Sequence, residues 1–260
     1  KKKIDHYLDK IINRLEGLFS AILPTHYILP FRFKWRRFFR KLEDEMFFVN
    51  TLLNKRRRFL DVGANIGWYS YYFSDKFKHI DAFEPIAETT HFIKAFRSQN
   101  IYLHIEALSS KKGFQEINIP HWQGHVLSGH VSLEKHDLPI IEKRIVNLNT
   151  IDSYNYNDID LIKIDVEGHE YSVIEGALST IKRCKPLLLV EIEQRHINRP
   201  IEDVFQLIVG LNYDGYFLFN RKLISLKKFN YLVNQKYYLD GTSTHYVNNF
   251  IFIPPSNKKN

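Results

Sequence analysis

Three short segments of this chain carry most of the residues that could do chemistry, and each follows an apolar run typical of a buried strand. The first segment runs from Asp61 to Gly67 and reads Asp-Val-Gly-Ala-Asn-Ile-Gly. Its glycines predict a strand, a tight turn and a helix, because glycine lets the backbone turn sharply and approach a ligand closely. A dinucleotide fingerprint needs glycines at i, i+2 and i+5, whereas here Asn65 stands at i+2 and Gly67 at i+4. Asp61 would also repel a phosphate and would suit an amino group, so the segment disfavours an NAD-dependent oxidoreductase.

The second segment is the end of the next apolar run, where Glu84 is followed by Pro85. An acidic residue at this place in a Rossmann-like fold accepts hydrogen bonds from ribose hydroxyls. Pro85 stops the strand and begins the following turn. Glu84 is therefore predicted to bind a ribose.

The third segment runs from Asp160 to Glu170 and reads Asp-Leu-Ile-Lys-Ile-Asp-Val-Glu-Gly-His-Glu. Ligands of open α/β sheets bind at the carboxyl ends of the strands, so Asp165, Glu167 and His169 are expected to face the same cleft. The alternative is that some of these charges only cap a helix.

The elements that must position these segments alternate between strand and helix after residue 58. Strands are predicted over 59–62, 79–83, 101–105, 161–166, 186–192, 215–219 and 249–253, with helices over 66–77, 87–97, 169–181 and 201–211. This alternation predicts an α/β fold with a doubly wound, mostly parallel sheet, and the apolar strands agree with a sheet covered on both faces. Two further strands, over 114–119 and 144–148, flank a histidine-rich segment and indicate an insertion at about 110–150 over one edge of the sheet.

Taken together, the segments resemble the FkbM-type methyltransferase family. The resemblance covers about residues 57–195 and rests on six segments in family order: Leu60–Gly67, Ala82–Pro85, Ala107–Ser109 with Gly113, Leu148–Asp152, Leu161–Glu170 and Leu187–Ile192. It implies a Rossmann-like fold that binds S-adenosylmethionine and transfers its methyl group, usually to an oxygen of a sugar, a glycan or glycolipid, or a natural product.

Carried over by position, the resemblance assigns the cofactor-binding residues. It implies that Asp61, Gly63, Asn65 and Gly67 frame the methionine end of the cofactor and that Glu84 takes the ribose. It implies further that Glu106 and Ala107 lie near the adenine and that Asp165 forms the floor of the cleft.

A hydroxyl is a poor nucleophile until its proton is removed, so a general base is expected. The candidates are His169, Glu167 and Asp165, with Glu191 and His196 behind them. A divalent metal held by Asp165 and Glu191 is a less favoured alternative, because the ligand set is incomplete in the sequence. Zinc is disfavoured, because His121, His125, His130 and His136 are irregularly spaced and no cysteine accompanies them; this segment, with Trp122, is expected to help form an acceptor pocket.

The charge is concentrated at the N-terminus, where residues 1–58 hold 15 Lys and Arg against 6 Asp and Glu, a net charge of +9, while the whole chain has +8. We expect residues 1–57 to form a basic helical extension, with a helix over 1–20, a proline-marked turn over 23–31 and a further helix through Leu53. Residues 58–254 are expected to form the Rossmann-like domain, and residues 255–260 a disordered tail. The favoured interpretation of the extension is a helical cap with solvated cations; the alternative is peripheral contact of residues 31–58 with an anionic membrane.

Two other functions compete with the favoured one, a methyltransferase acting on a carbohydrate or glycolipid hydroxyl. The basic extension suggests an RNA methyltransferase, although no RNA-binding module is recognisable and nucleic acid is not an expected partner. A catalytically silent S-adenosylmethionine-binding protein is the second alternative. The single cysteine, Cys184, suits a cytoplasmic location, and nothing in the sequence indicates an oligomeric state.

Overall fold

A computed structural model describes residues 2–119, 121–122, 125–126, 142–239 and 246–255. The strands in chain order are β1 (Arg58–Val62), β2 (His79–Phe83), β3 (Ile101–His104), β4 (Ala107–Leu108), β5 (Gly113–Ile119), β6 (His121–Trp122), β7 (His125–Val126), β8 (Glu142–Asn149), β9 (Ile159–Ile164), β10 (Leu187–Glu191), β11 (Asp214–Phe219), β12 (Lys222–Ser225) and β13 (Asn249–Ile253). The α-helices are α1 (Lys2–Ile22), α2 (Thr25–Phe38), α3 (Asp44–Leu52), α4 (Trp68–Phe73), α5 (His91–Phe96), α6 (Glu170–Glu175), α7 (Leu178–Cys184), α8 (Ile201–Val209) and α9 (Tyr237–Leu239). Short 3₁₀ or π turns span Ile151–Tyr154, Gln194–His196, Leu226–Lys228 and Leu232–Lys236.

Eight strands form the central sheet in the order β12-β11-β13-β10-β9-β1-β2-β3. The five strands from β10 to β3 are parallel, and β13 pairs antiparallel with both β10 and β11. The order runs outward from β1 in one direction through β2 and β3, and in the other through β9 and β10. The boundary between β1 and β9 is therefore the switch point, where open α/β sheets bind ligands at the carboxyl ends of their strands. The predicted Rossmann-like, mostly parallel α/β sheet is confirmed.

The strands bury both faces because they are apolar almost without interruption. In β9, Leu161 belongs to one apolar cluster and the next residue, Ile162, to the other. Successive side chains of a strand point to opposite faces, so the two clusters are the two sides of the sheet. Helix α8 packs on one side through Val204 and Ile208, and α4 packs on the other through Phe73.

The N-terminal helices cover the same side of the sheet as α4. Phe33 of α2 and Met46 and Val49 of α3 are buried in that apolar cluster. The ring of Phe33 lies 5.0 Å from the ring of Tyr71 and stacks on Tyr72. These contacts make α2 and α3 part of the layer that packs on the sheet.

Several cations of the basic extension contact groups within the protein. The Nε atoms of Arg32 and Arg36 each lie 3.2 Å from a carboxylate oxygen of Glu16. The same guanidinium groups lie over the rings of Phe92 and Trp68, and Arg37 lies over Phe47. No helix in the described part of the chain is long and apolar enough to cross a membrane.

A second, three-stranded sheet lies beyond the end of β3 in the order β4-β8-β5. The strands predicted over 114–119 and 144–148 are present as β5 and β8, which pair antiparallel from Gly113 opposite Leu148 to Ile119 opposite Glu142. Their inner side chains Ile117, Val146 and Leu148 form a small core with Ile86, which follows β2. The short pair β6–β7 continues the insertion. The side chains of the four histidines and Trp122 lie outside the described residues, as does the tail from 256 to 260.

Two local predictions were wrong. The proline-marked turn over 23–31 is a helix from Thr25 onward that continues through Pro30. Leu29 and Phe33 are buried on either side of that proline, and tertiary packing of an apolar face outweighs local helix propensity. The single helix predicted over 169–181 is two helices, α6 and α7. They are separated at Gly176, where an added Cβ would lie 2.0 Å from the Ser109 carbonyl oxygen.

Candidate active site

A cleft lies at the switch point, above the carboxyl ends of β1, β2 and β9. It encloses about 650 Å³, including the part open to solvent. Its lining residues are Val62, Gly63, Asn65, Phe83, Glu84, Pro85, Glu106, Ala107, Leu108, Ile117, Asp165, Val166 and Glu167.

Gly63 is required at the base of this cleft by a close approach of two chain segments. Its φ is +80°, and its amide donates a 2.9 Å hydrogen bond to the Phe83 carbonyl oxygen. A Cβ at this position would lie 1.8 Å from the carbonyl oxygen of Asp165. The sequence predicts that a glycine stands at position 63 because a ligand approaches the backbone there. In the structure, the atoms that leave no room for a side chain at this position belong to the segment after β9.

Asp61 and Gly67 support the turn from inside the fold and do not line the cleft. The Asp61 carboxylate is 2% exposed and accepts hydrogen bonds from the amide and the hydroxyl of Ser70, at 2.9 and 2.5 Å. Burial raises the pKa of Asp61 to about 6, and the Ser70 hydrogen bonds oppose that rise. Gly67 precedes α4, and a Cβ there would lie 2.3 Å from Ile93. Neither residue is among the described residues that line the cleft, and the prediction that both frame the methionine end of the cofactor stays a prediction.

Glu84 and Asn65 meet on the cleft wall between β1 and β2. The amides of Asn65 and Ile86 each donate a 3.0 Å hydrogen bond to a different carboxylate oxygen of Glu84. Burial raises the pKa of Glu84 to about 7, although these hydrogen bonds oppose the rise. The Asn65 side-chain oxygen is buried and has no hydrogen-bond partner among the described residues. Both side chains therefore present acceptor capacity to the cleft.

Glu106 and Ala107 form the far wall of the cleft, where β3 passes into β4. Tyr154 and Asn149 hold the Glu106 carboxylate through hydrogen bonds from the phenol hydroxyl and the amide nitrogen. Ala107 and Ile117 are buried and apolar. This end of the cleft thus combines an apolar surface with one carboxylate held by two hydrogen bonds, a combination common in small-molecule sites.

Asp165 and Glu167 form the opposite wall, on the turn after β9. The Asp165 amide donates a 2.9 Å hydrogen bond to the Val62 carbonyl oxygen, which joins this turn to the end of β1. Glu167 has a φ of +51°, and its carboxylate lies 3.2 Å from Nε2 of His196. Burial, followed by repulsion from Asp165 and Glu193, raises the pKa of Glu167 to about 8. A carboxyl that titrates near neutral pH on a cleft wall is suited to general acid–base chemistry.

His169 lies elsewhere. It precedes α6, is 7% exposed, and its Nε2 is 2.9 Å from the hydroxyl oxygen of Ser109. It is not among the described residues that line the cleft. The structure thus brings Asp165 and Glu167 to the cleft but separates them from His169.

A lysine occupies the space between the two carboxylates considered for a metal. Lys163 is 1% exposed, and its Nζ lies 3.5 Å from Asp165 and 3.7 Å from Glu191. Burial disfavours its charged form, but the surrounding carboxylates overcome this and raise its pKa. Burial raises the pKa of Glu191, with repulsion from Asp165 as the next cause. Within the described ranges, no three His, Cys, Asp or Glu side chains form a group that could hold a metal ion.

Two features of the site were missed in the sequence. Ile117, in the insertion, lines the cleft, and no local motif indicates that contact. Glu170 and Glu193 join Glu167, Glu191 and His196 around a second, smaller pocket beside the cleft. The sequence contains two signals for these features. One is the alternating apolar pattern of β5, and the other is the group of acidic residues near 165–170 and 191–193.

Comparison with known proteins gives one match to a family model and several similar solved structures. The model of the methyltransferase FkbM domain matches residues 61–218. No curated protein sequence matches the chain.

The chain is similar to several solved structures, of which three are described here. The FkbM methyltransferase of Methylobacillus flagellatus is 15% identical over 76% of this chain, with a TM-score of 0.48, and the chain spans 43% of that protein's length. A TehB-like SAM-dependent methyltransferase of Corynebacterium glutamicum is 10% identical, with 87% of this chain and 97% of that one covered and a TM-score of 0.46. Precorrin-8w decarboxylase of Methanobacterium thermoautotrophicum is 10% identical, with 82% and 90% covered and a TM-score of 0.44.

The domain match spans more than half of the chain and includes β2, β9 and β10, whose carboxyl ends carry Glu84, Asp165 and Glu191. The chain belongs to the FkbM methyltransferase family.

Proposed function

We propose that this protein transfers a methyl group from S-adenosylmethionine to a hydroxyl of a sugar, glycan or glycolipid. The observation that carries the proposal is the cleft at the switch point of a chain of this family, with Glu84 on one wall and Glu167 on the other.

The residues of the cleft fit the cofactor. Each carboxylate oxygen of Glu84 accepts one backbone N–H and retains a lone pair for a ribose hydroxyl. The unpartnered side-chain oxygen of Asn65 suits the amino group of the methionine moiety, and the apolar surface of Ala107 and Ile117 suits the adenine, beside Glu106. Asp61 supports this site indirectly, because its carboxylate accepts hydrogen bonds from Ser70 and so fixes the start of α4.

When bound, S-adenosylmethionine supplies a methyl carbon that the acceptor's hydroxyl oxygen attacks, while the carbon–sulfur electron pair leaves with the sulfur. Glu167 is the residue we assign to accept the hydroxyl proton, since it lines the cleft and titrates near neutral pH. His196, 3.2 Å from Glu167, orients that carboxylate. The turn after β9 contributes to the reaction rate by holding the acceptor in line with the methyl group.

The acceptor class rests on the resemblance to the FkbM-type family, and a transfer assay tests it. Purified protein is incubated with radiolabelled S-adenosylmethionine and, separately, with oligosaccharide, lipopolysaccharide, glycolipid and total RNA fractions. Label in a carbohydrate or glycolipid fraction supports the proposal. Label in RNA alone favours the RNA methyltransferase, and cofactor binding without transfer to any fraction favours the silent binding protein; either result contradicts it.

Peripheral contact with an anionic membrane remains a proposal for the N-terminal segment. Its support is the exposure of large apolar side chains beside the basic stretch 31–58, with Leu18, Ile22 and Phe38 being 60%, 77% and 80% exposed. Such side chains partition into the interface of a bilayer while neighbouring cations contact the headgroups. Sedimentation with vesicles containing phosphatidylserine tests this, and equal sedimentation with purely zwitterionic vesicles would contradict it.

A further inference from the structure

A second cavity lies at the edge of the sheet opposite the cleft, at the amino ends of β1, β9 and β10. Its volume is about 590 Å³, which falls within the roughly 300–1,000 Å³ of small-molecule sites. It shares no described lining residue with the cleft. This second cavity therefore has room for an organic ligand that is separate from the methyl-transfer cofactor.

Two basic segments of the sequence meet at this cavity because the strands that follow them are parallel. Lys55 and Arg57 stand just before β1, and Arg183 and Lys185 stand just before β10. Both strands pair with β9 in parallel, so their amino ends lie on either side of the amino end of β9. The four cations line the cavity together, and Asp160 is the only acidic side chain among its described lining residues. We call this space the basic cavity.

One of the four cations is paired within the protein. The Asp160 carboxylate lies 2.6 Å from Nη2 of Arg57 and also accepts a 2.7 Å hydrogen bond from the Arg57 amide. The guanidinium group of Arg183 donates hydrogen bonds of 2.9 and 2.5 Å to a backbone carbonyl oxygen, which carries no counter-charge. In the part of the chain that the structure describes, no carboxylate forms an ion pair with Lys55, Arg183 or Lys185. Three positive charges at the basic cavity therefore have no carboxylate partner.

The carboxyl ends of two helices offset part of this charge. Helix α3 ends at Leu52 and α7 ends at Cys184, and both residues line the basic cavity. The carboxyl end of a helix is equivalent to about half a negative charge, so the two ends together offset about one cation. About two positive charges remain. A phosphate monoester carries about −1.5 to −2 at neutral pH, so its charge matches what remains.

The rest of the lining is largely apolar. Leu53 and Leu187 are buried, and Ile253, Pro254 and Pro255 are half-buried beside them. Lysine and arginine bind phosphate oxygens through charge-assisted hydrogen bonds. Inorganic phosphate alone would leave the apolar surface in water, whereas an organic group attached to the phosphate would cover it and gain from that burial.

We propose that the basic cavity binds a phosphate monoester that carries an apolar or aromatic group. The phosphate would lie among the unpaired cations of the two basic segments, and the organic group would lie on the apolar surface. Because the basic cavity and the cleft are at opposite edges of the sheet, this inference goes beyond methyl transfer and does not depend on it. A nucleoside monophosphate and the headgroup of a phosphatidic acid both have this chemistry.

Calorimetric titration of the full-length protein tests the inference with two probes. One is uridine monophosphate, and the other is dihexanoyl phosphatidic acid below its critical micelle concentration. We expect at least one of them to bind about ten-fold or more tightly than uridine, which lacks the charged group. Tighter binding of the lipid would identify a membrane lipid as the source of the phosphate, and tighter binding of the nucleotide a soluble metabolite. If neither probe binds more tightly than uridine, the inference is wrong.

Matched double variants locate the binding. Lys55→Gln combined with Lys185→Gln removes one exposed cation from each basic segment, and should weaken binding of the tighter probe by about ten-fold or more. Lys34→Gln combined with Lys94→Gln removes the same charge from exposed lysines of α2 and α5 that do not line the basic cavity. At 0.15 M salt, charges more than about 8 Å apart are largely screened, so this control should change the affinity by less than about two-fold.

Two results of the variant titrations would overturn the assignment. Equal weakening in both double variants would mean that the probe responds to the overall positive charge of the chain. Unchanged affinity in Lys55→Gln with Lys185→Gln would place the probe elsewhere on the protein. Circular dichroism of each variant confirms that the fold is retained, as expected for side chains that are exposed.

Discussion

Replacement of Gly63 by alanine tests the contact on which the cleft is built. The residue has a φ of +80°, and the left-handed region costs an L-residue about 1–2 kcal/mol. The new Cβ would lie 1.8 Å from the Asp165 carbonyl oxygen, whereas real Cβ contacts do not fall below 3.0 Å, so that carbonyl must retreat by more than 1 Å. Such a shift strains the 2.9 Å hydrogen bond between the Asp165 amide and the Val62 carbonyl oxygen, which contributes about 0.5–1.5 kcal/mol.

The expected total for Gly63→Ala is a loss of about 1.5–3.5 kcal/mol in the free energy of unfolding. For a chain of this size, each kcal/mol lowers the midpoint of thermal unfolding by roughly 2–4 °C, so the midpoint should fall by about 3–14 °C. Circular dichroism at fixed pH measures it, and calorimetry with S-adenosylhomocysteine should show weakened binding, because Asp165 and Glu167 lie on the displaced turn.

Gly17→Ala is the matched control. Gly17 lies within α1, and an added Cβ meets no atom within 4 Å. Alanine in a helix interior is more stable than glycine by roughly 0.5–1 kcal/mol, so this variant should unfold at an equal or higher temperature. A Gly63→Ala protein that unfolds within about 1 °C of the parent and binds S-adenosylhomocysteine equally well would refute the close approach of β1 and β9.

Three further outcomes are expected. Because the pKa of Glu167 is raised to about 8, kcat/KM for methyl transfer should rise with pH through that value, and Glu167→Gln should lower it by roughly 10²–10⁴-fold and remove the rise. The pKa values of Glu84 and Glu170 are raised to about 7, so the folded protein retains protons that the unfolded chain releases above about pH 4.5. The temperature of the unfolding midpoint of the unliganded protein should therefore decrease as the pH is raised from about 5 to about 8. An increase in that temperature over the same range would contradict these shifts. Phe33→Ala should cost about 3–5 kcal/mol in urea unfolding, since Phe33 is buried against Tyr71, whereas Phe38→Ala, at a side chain 80% exposed, should cost less than about 0.5 kcal/mol.

The sequence predicted the elements of the site better than the direction of its side chains. The apolar runs and the glycine turn identified the ends of β1, β2 and β9, because buried parallel strands and tight turns have local signatures. Glu84, Asp165 and Glu167 then follow from their positions at strand ends, whereas Glu106 follows from the family resemblance, and the structure brings all four to one cleft.

Asp61 and His169 show what local pattern does not contain. Each is held by a hydroxyl elsewhere in the chain: Asp61 by Ser70, nine residues later, and His169 by Ser109, sixty residues earlier. The second, smaller pocket beside the cleft depends in the same way on tertiary structure, because parallel pairing of β9 and β10 brings Glu170 and Glu193 together. Strand order and loop packing determine these contacts, and no spacing between residues in the sequence predicts them.

The most direct test of the account is a calorimetric titration of S-adenosylhomocysteine and, separately, NAD into the parent protein and into Glu84→Gln. Glu116→Gln, at a side chain 54% exposed, is the control of equal charge. The account predicts binding of S-adenosylhomocysteine but not NAD, unchanged in Glu116→Gln and weakened about ten-fold or more in Glu84→Gln, because a ribose hydroxyl loses a charged acceptor. Binding of NAD in preference, or binding of S-adenosylhomocysteine that is indifferent to Glu84, would contradict the assignment of this cleft as the cofactor site.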